Sequence, residues 1–324
     1  MRLGIMGSGD IVSSTLKMLK FLPQYKVCTL FCRKESEARG KLLAEKYSIN
    51  RVYTNIEAFL RDSSFDIVYV AVVNNIHYDY VKKSLLEGKH VICEKPLTSS
   101  YQNAKELYEL AKQKKCILYE MNRSVLTLNF QYIKNHVSEL GNITLASTSL
   151  CHCSRRYNEY QKGNILPVFD VSKNGGALYD LGIYCIHFFV GLFGKPKSVQ
   201  YISEKGYNKV DLSGILILKY STFIATASIA KNANGPAYFT IQGDKGYIYS
   251  NTSAMYPGKT IIRLNHQEEN IIAHDSKELY FSELKMLHML FKENNIQAFE
   301  QYLQDSLICM QIIDEAIRSD SYEN

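Results

Sequence analysis

Apolar and polar positions alternate over residues 2–6, the alternation breaks at Gly7-Ser8-Gly9-Asp10-Ile11-Val12, and a helical period takes over through 11–22. A period of two predicts a strand and a period of 3.6 a helix. The same exchange recurs down the first third of the chain. Strand patterns at 26–32, 51–53, 66–72, 90–97 and 116–119 alternate with helical patterns at 36–47, 56–61, 78–87 and 100–114. Helices between strands at this spacing predict a parallel, doubly wound sheet. Beyond 120–123 the pattern changes to a helix ending near 136 and then to β-rich runs at 143–153, 197–202, 214–220, 223–230, 237–242, 246–250 and 260–264. Short turns such as Asn234-Gly235-Pro236 and Gly243-Asp244-Lys245-Gly246 separate several of these runs, as antiparallel neighbours require. Between the first two runs, Gly175-Gly176 closes one segment and 177–193 carries helical apolar periodicity. Two late helical patterns, 277–292 and 302–318, read as packing elements. The expected fold class is therefore α/β. It comprises an N-terminal Rossmann doubly wound parallel sheet in a domain at 1–120, and a C-terminal α+β domain at 121–324 with a large, mostly antiparallel sheet.

A chain of 324 residues suits two domains of ordinary size, and 46% hydrophobic with 22% charged residues is a globular balance. No stretch is expected to reach the ~20 apolar residues of a membrane-spanning helix. The first residues enter a strand pattern directly, without the ordered regions of a signal peptide, so the expected location is the cytoplasm. Eight scattered cysteines fit a reducing compartment, and the net charge of +6 comes from dispersed lysines rather than a nucleic-acid stripe.

Candidate chemistry gathers at the expected carboxyl edge of the first sheet, where open α/β sheets bind ligands. Gly7 and Gly9 form a G-x-G turn before a helix. The first glycine allows the tight turn and the second lets backbone approach a pyrophosphate at the helix amino terminus, with Asp10 and Ile11 opening that helix. The second strand ends Cys32-Arg33-Lys34, two cations where an NAD enzyme would carry an acid. A 2′-phosphate is the better partner, so NADP is preferred and NAD remains possible. An exposed strand end also accounts for Arg33 and Lys34. Val72, Asn74 and His77 lie in the next edge loop, His77 reading as a capping or packing residue. The strand from 90 ends in Glu94-Lys95-Pro96, which places Lys95 as a positioned cation beside the nicotinamide, although a surface ion pair before a turn gives the same letters. In the helical run 177–193, Asp180 and Tyr184 lie four apart and share a face, with His187 three further on.

The order and spacing of these motifs resemble the Gfo/Idh/MocA oxidoreductase family: G-x-G near the amino terminus, Asn74-x-x-His77, residues 87–91 reading Glu-Gly-Lys-His-Val, Glu94-Lys95-Pro96, then Gly175-Gly176-Ala177-Leu178-x-Asp180-Leu181-Gly182-Ile183-Tyr184, and finally Ser306-Leu307-x-x-Met310-x-Ile312-x-Asp314. The resemblance covers nearly the whole chain. Tyrosine at 184, where many relatives have histidine, is similar to the subgroup of glucose-fructose oxidoreductase and the dimeric dihydrodiol dehydrogenases. The resemblance implies that the second sheet is open and that its free face joins subunits in a homodimer or homotetramer. It further implies a sugar, polyol or diol substrate, with no nucleic-acid or membrane partner.

Hydride transfer from a carbinol carbon leaves a proton on oxygen. Tyr184 is the candidate to take it, since a phenol titrates near 10 and a nearby Lys95 cation favours its ionised form. Such a group contributes about 10² to 10⁴ in rate. Lys95 would hold the substrate oxygen, and either Lys95 or Tyr184 could carry the proton. Asp180 would orient a second hydroxyl and fix the lysine. An NAD-linked inositol or polyol dehydrogenase and a dinucleotide-binding sensor without turnover stand as alternatives. No metal is expected: Cys151 and Cys153 share one face of a strand while His152 points to the other, so the three cannot converge. Cys93, beside Lys95, is either reactive or a buried strand cysteine. Arg155, Arg156 and Tyr157 lie in a loop that either lines a substrate mouth or is simply exposed.

Overall fold

The structure is a computed structural model that describes residues 1–265, 267–271 and 276–321. It divides into two compact units, Met1–Met121 with Leu287–Gln304, and Asn122–Met286 with the stretch from Asp305.

The first unit alternates β1 (Arg2–Met6), α1 (Asp10–Leu19), β2 (Lys26–Phe31), α2 (Glu37–Tyr47), β3 (Arg51–Tyr53), α3 (Ile56–Leu60), β4 (Ile67–Val70), α4 (His77–Leu86), β5 (His90–Glu94), α5 (Tyr101–Lys114) and β6 (Leu118–Met121). The six strands are parallel in the order β3-β2-β1-β4-β5-β6. The chain runs outward from β1 to β3 and then crosses to β4, so strand order reverses between β1 and β4. That reversal creates the crevice where doubly wound sheets take ligands. The central strands are covered on both faces, as parallel sheets require: every residue of β4 is buried, and Ile5, Met6, Val68, Val70, Val91 and Cys93 have no exposed surface. Helix α1 turns Val12, Leu16 and Leu19 inward at helical spacing.

The second unit contains α6 (Leu128–His136), β7 (Ile143–Cys151), α7 (Tyr157–Gln161), a π-helical turn at Leu178–Gly182, α8 (Ile183–Phe193), β8 (Ser198–Lys205), β9 (Asp211–Lys219), β10 (Ile224–Ala230), β11 (Tyr238–Gly243), β12 (Gly246–Ser250), β13 (Thr260–Leu264) and β14 (Gln267–Ile271). Helices α9 (Ser276–Lys292) and α10 (Ile296–Ser321) follow. The sheet runs β14-β13-β12-β11-β7-β10-β9-β8, antiparallel except for the β7–β10 pair. Strand β14 was not anticipated from the sequence.

Two expectations need correction. A domain at 121–324 would include Leu287–Gln304, but that segment belongs to the first unit. Its aromatic side chains explain why. Phe291 meets the His90 ring edge-on at 6.0 Å, Phe299 and Tyr302 meet Tyr119 at 6.2 and 6.1 Å, and Glu300 accepts from Tyr108 at 3.0 Å. The second correction concerns apolar length. The helical stretch Val171–Phe193 has a mean hydropathy of 1.5 over 18 residues and is long enough to cross a membrane, yet 78% of that window is buried inside the protein. Its α8 portion is a core helix, with Phe188 packed 4.9 Å from Phe239 and 5.7 Å from Phe130.

One acid shapes the entrance to that stretch. Asp211 Oδ2 accepts from the Leu178 backbone N–H at 2.7 Å and from the Tyr201 hydroxyl at 2.8 Å. Gly176 holds φ +116°, and a Cβ there would stand 1.8 Å from Asp211 Oδ1, so only glycine fits the turn. Burial pushes the Asp211 carboxyl up to about 6, against the downward pull of those two donors. The folded state therefore binds this proton more tightly than the unfolded chain, and stability falls as pH rises between about 4 and 6. Relative to Asp211→Asn, the wild type should gain roughly 2 kcal/mol as pH drops from about 7 to about 4. Urea unfolding of both proteins across that range checks this, and a constant difference between them would refute it.

Candidate functional site

At the end of β1 the chain itself demands glycine: Gly7 has φ +121°, and a Cβ there would lie 2.2 Å from the Ala71 carbonyl oxygen at the end of β4. Gly9 is different. A Cβ there would meet nothing within 4 Å among the described residues. Gly9 also precedes α1 in extended conformation, and among the described residues no side chain caps that helix. The amino end of a ten-residue helix, with the positive end of its dipole, thus lies directly behind Gly9, and such an end is an ordinary seat for a phosphate. Asp10 and Ile11 are exposed there, and the Asp10 carboxylate accepts from Arg39 of α2 at 2.9 Å. Arg39 escaped the sequence reading because nothing in its neighbours marks it; only the fold brings it to α1.

Arg33 and Lys34 follow β2, and both are exposed. Lys34 lies 3.7 Å from Glu37, which accepts a shorter bond from Lys41 at 2.7 Å. Burial raises the Tyr80 phenol, and the Arg33 charge opposes that rise.

The next two strand ends are tied together by His77. Its ring is fully buried, with Nδ1 2.7 Å from the Pro96 carbonyl and Nε2 3.2 Å from that of Val72. Burial lowers its pKa and favours the neutral ring. His77 thus clamps the loop of Val72 and Asn74, both partly buried, to the turn after Lys95, and it has no surface to offer a ligand. Glu94 is also turned inward, 5% exposed, with its carboxylate accepting from the Tyr69 hydroxyl at 2.6 Å. His77 through both ring nitrogens and Glu94 through Oε1 thus meet protein partners. Leu97 N donates to the buried Glu120 at 2.8 Å, which fixes the chain on the far side of Lys95. Lys95 itself is partly buried, and its bond to Pro96 is cis. Cys93 is fully buried, and burial together with Glu120 and Glu94 pushes its thiol well up, so it is an inert strand cysteine.

In the second unit the expected helix 177–193 opens with the π turn before α8 begins. Such turns are rare and frequently mark functional sites. Asp180 lies within it, 36% exposed, with Oδ2 2.6 Å from Lys231 Nζ. Asp180 was expected to fix Lys95; the lysine it holds within its own unit is Lys231, which is 1% exposed and directly follows β10. The sequence carried a signal for Lys231, since an apolar strand ending in lysine is the pattern that drew attention to Lys95. Tyr184, 3% exposed, lies under the Arg123 guanidinium, 5.9 Å from the ring centroid. Arg123 also donates to the Tyr256 hydroxyl, and its backbone N–H, with that of Asn122, donates to buried Glu283 at 3.0 Å. The sequence marks Arg123 only as the point where the chain changes character. His187 is 2% exposed, with Nδ1 3.4 Å from Cys309 Sγ, and is a core residue. Tyr157, read as a loop residue, stacks on Tyr160 at 6.0 Å and packs on Phe169 at 5.9 Å. Among the described residues no group of three ligating side chains could hold a metal.

A parallel sheet with an uncapped helix behind a glycine turn at its switch point is a dinucleotide-binding scaffold. The comparisons agree. A model described as an oxidoreductase family with an NAD-binding Rossmann fold matches residues 1–121, and a GFO/IDH/MocA C-terminal domain matches 133–249. The chain is 30% identical over 316 residues to scyllo-inositol 2-dehydrogenase (NADP(+)) IolU of Bacillus subtilis (strain 168), covering 97% of this chain and 95% of the relative. It is 25% identical to the trans-1,2-dihydrobenzene-1,2-diol dehydrogenase of Bos taurus, covering 87% and 83%. Among solved structures, levoglucosan dehydrogenase in complex with NADH and levoglucosan shares the fold at TM-score 0.85 and 16% identity, covering 100% and 98%. KijD10, a 3-ketoreductase from Actinomadura kijaniata in complex with NADP and TDP-benzene, shares it at TM-score 0.82 and 20% identity, covering 98% and 97%. The protein belongs to the Gfo/Idh/MocA family and is an NAD(P)-dependent oxidoreductase.

The two glycines should separate in a mutational test. Gly7→Ala forces a side chain into left-handed backbone against a carbonyl and should destabilise the protein by about 1 to 3 kcal/mol. Gly9→Ala should melt within about 1 kcal/mol of wild type, the scale of a poorer helix cap, while weakening NADPH binding at least about tenfold. Thermal melts paired with NADPH fluorescence titrations check both, and unchanged NADPH affinity in Gly9→Ala would remove the phosphate seat.

Proposed function

We propose that the protein transfers a hydride between NADP and a carbinol or carbonyl carbon of a sugar, polyol or diol. The observation that carries this reading is that Lys95, Asp180 and Tyr184 occur together in a chain that matches an NADP-linked inositol dehydrogenase over 97% of its length. Bound at the glycine turn, the nicotinamide supplies the hydride acceptor. Gly7, Gly9 and the first turn of α1 hold the pyrophosphate, while Arg33 and Lys34 take the 2′-phosphate. A charge-assisted bond there contributes about 1.5 to 3 kcal/mol. Asn74 and Val72 support the nicotinamide side.

Lys95 binds the substrate oxygen and stabilises the charge that develops on it as the hydride leaves the carbon. Tyr184 takes the hydroxyl proton in oxidation and returns it in reduction, and Asp180 orients a neighbouring hydroxyl. This division gives the phenol the proton and the ammonium the electrostatic task, which suits a lysine held on a strand end.

A homodimer or homotetramer through the second sheet is part of the same reading. On the sheet face away from the buried Leu216, Ala227 and Ala146, register brings Ile215 beside Ile202, and Ile224 beside Leu145, each residue 40–48% exposed. Water-facing isoleucine and leucine in adjoining pairs favour a covering partner. The reading also keeps the protein in the cytoplasm. Light scattering that returned a monomer would remove the oligomer from it.

Turnover is tested with a panel of inositols, aldoses and vicinal diols, following the absorbance of the reduced nicotinamide with NADP and with NAD. Lys95→Ala, Asp180→Asn and Tyr184→Phe should each retain NADPH binding and lose at least about tenfold in kcat/KM on the substrate turned over best. Full activity in Tyr184→Phe would move the proton to Lys95. Arg33→Ala should weaken NADP at least about tenfold more than NAD; equal losses would contradict the phosphate assignment, and a panel without turnover would count against the proposed substrate class.

A further inference from the structure

Lys231 is fixed by its backbone on two sides. Its N–H donates to Leu212 O at 2.8 Å, and its carbonyl accepts from Ser154 N at 2.8 Å. The side chain then enters the interior. Nζ lies 5.0 Å from the Phe169 ring centroid, donates to Val168 O at 3.1 Å and donates to Asp180 Oδ2 at 2.6 Å. Phe169 is fully buried, with Tyr160 at 4.9 Å, so the ammonium sits against a packed aromatic wall rather than in water.

The two ends of this ion pair are unequal. The lysine is 1% exposed and the acid 36%. A pair retained for stability alone has little to recommend it, because apolar residues of the same volume do as well or better once desolvation is counted. Here the immobile partner is the cation, and the partner it restrains belongs to a widened helical turn opened at its other end by Asp211. Gly176 N–H donates to Val168 O at 3.1 Å, so the carbonyl that Lys231 grips also anchors the glycine turn leading to Asp180. One ammonium therefore ties together the carboxylate of the π turn and the backbone just upstream of it.

We propose that Lys231 is a positioning residue that keeps the Asp180 carboxylate fixed in the orientation from which it engages a substrate hydroxyl. This rests on the role given to Asp180 above. Its effect belongs on the sugar or polyol rather than on the dinucleotide, because Lys231, Val168 and Asp180 lie in the second unit while the glycine turn and Arg33 lie in the first.

The test is a double-mutant cycle of Lys231→Met and Asp180→Asn, read on the panel substrate turned over best, with NADPH titrations and thermal melts alongside. Lys231→Met should raise the substrate KM at least about tenfold, change kcat less than KM, and leave NADPH affinity within about twofold. The double variant should be no worse than the poorer single variant, since a residue acting only through Asp180 has nothing left to act on. Lys231→Arg, which keeps a cation, should recover most of the lost KM. If Lys231→Met does not fold, Lys231→Gln takes its place in the cycle with the same expected outcome. Wild-type KM in the Lys231 variant while Asp180→Asn is impaired would overturn the proposal, as would losses that multiply in the double variant or an arginine variant as poor as the methionine one. Wild-type KM in Asp180→Asn would instead overturn the underlying role of Asp180.

Discussion

A polar group taken out of water must find its partners inside the protein, and in this chain that requirement falls on the loops that carry the candidate chemistry. His77 bridges the carbonyls of Val72 and Pro96, Glu94 takes the Tyr69 hydroxyl, Glu120 takes the Leu97 N–H, Asp211 takes the Leu178 N–H, and Lys231 takes Asp180 and the Val168 carbonyl. Most of these bonds run from a buried side chain to backbone. Removing one would leave its partner desolvated and unpaired, which costs more than the bond itself contributes.

The glycine turn shows a division between folding and binding within three residues. Gly7 answers to the protein, because the Ala71 carbonyl fills the space a side chain would need. At Gly9 no described protein atom fills the space a Cβ would enter. The first makes the close approach of β1 and β4 possible at the point where strand order reverses. The second leaves the helix end accessible to an anion. Asp10, an acid at that same end, is offset by Arg39, so the local field at the turn is less negative than the sequence around it suggests.

The π turn does comparable work in the second unit. A regular α-helix from 177 would carry Asp180 and Tyr184 on a fixed stripe, but the extra residue in the turn changes where the first of them points relative to the helix that follows. Asp180 stays partly exposed and paired with Lys231, while Tyr184 is buried under Arg123. The two residues four apart in sequence thus acquire different surroundings, an ion pair for the acid and a guanidinium over the ring of the phenol. Groups given such distinct neighbours are suited to distinct tasks.

Much of this was legible in the letters. Periodicity located the strands of the first sheet, and helices between them fixed its parallel sense, since local sequence determines which face of an element is apolar. The Gly7-x-Gly9 turn, the cations at 33–34 and the Lys95 strand end were likewise visible, because each depends on residues adjacent in the chain. What the tertiary structure alone decided were the pairings between distant segments: His77 with Pro96, Arg39 with Asp10, Lys231 with Asp180, Arg123 with Tyr184, and the return of Phe291, Phe299 and Tyr302 to the first unit. Periodicity records that a side chain faces inward and is silent about which partner it meets there. A buried charge selects its counter-charge by proximity in three dimensions, and proximity is a property of the folded chain.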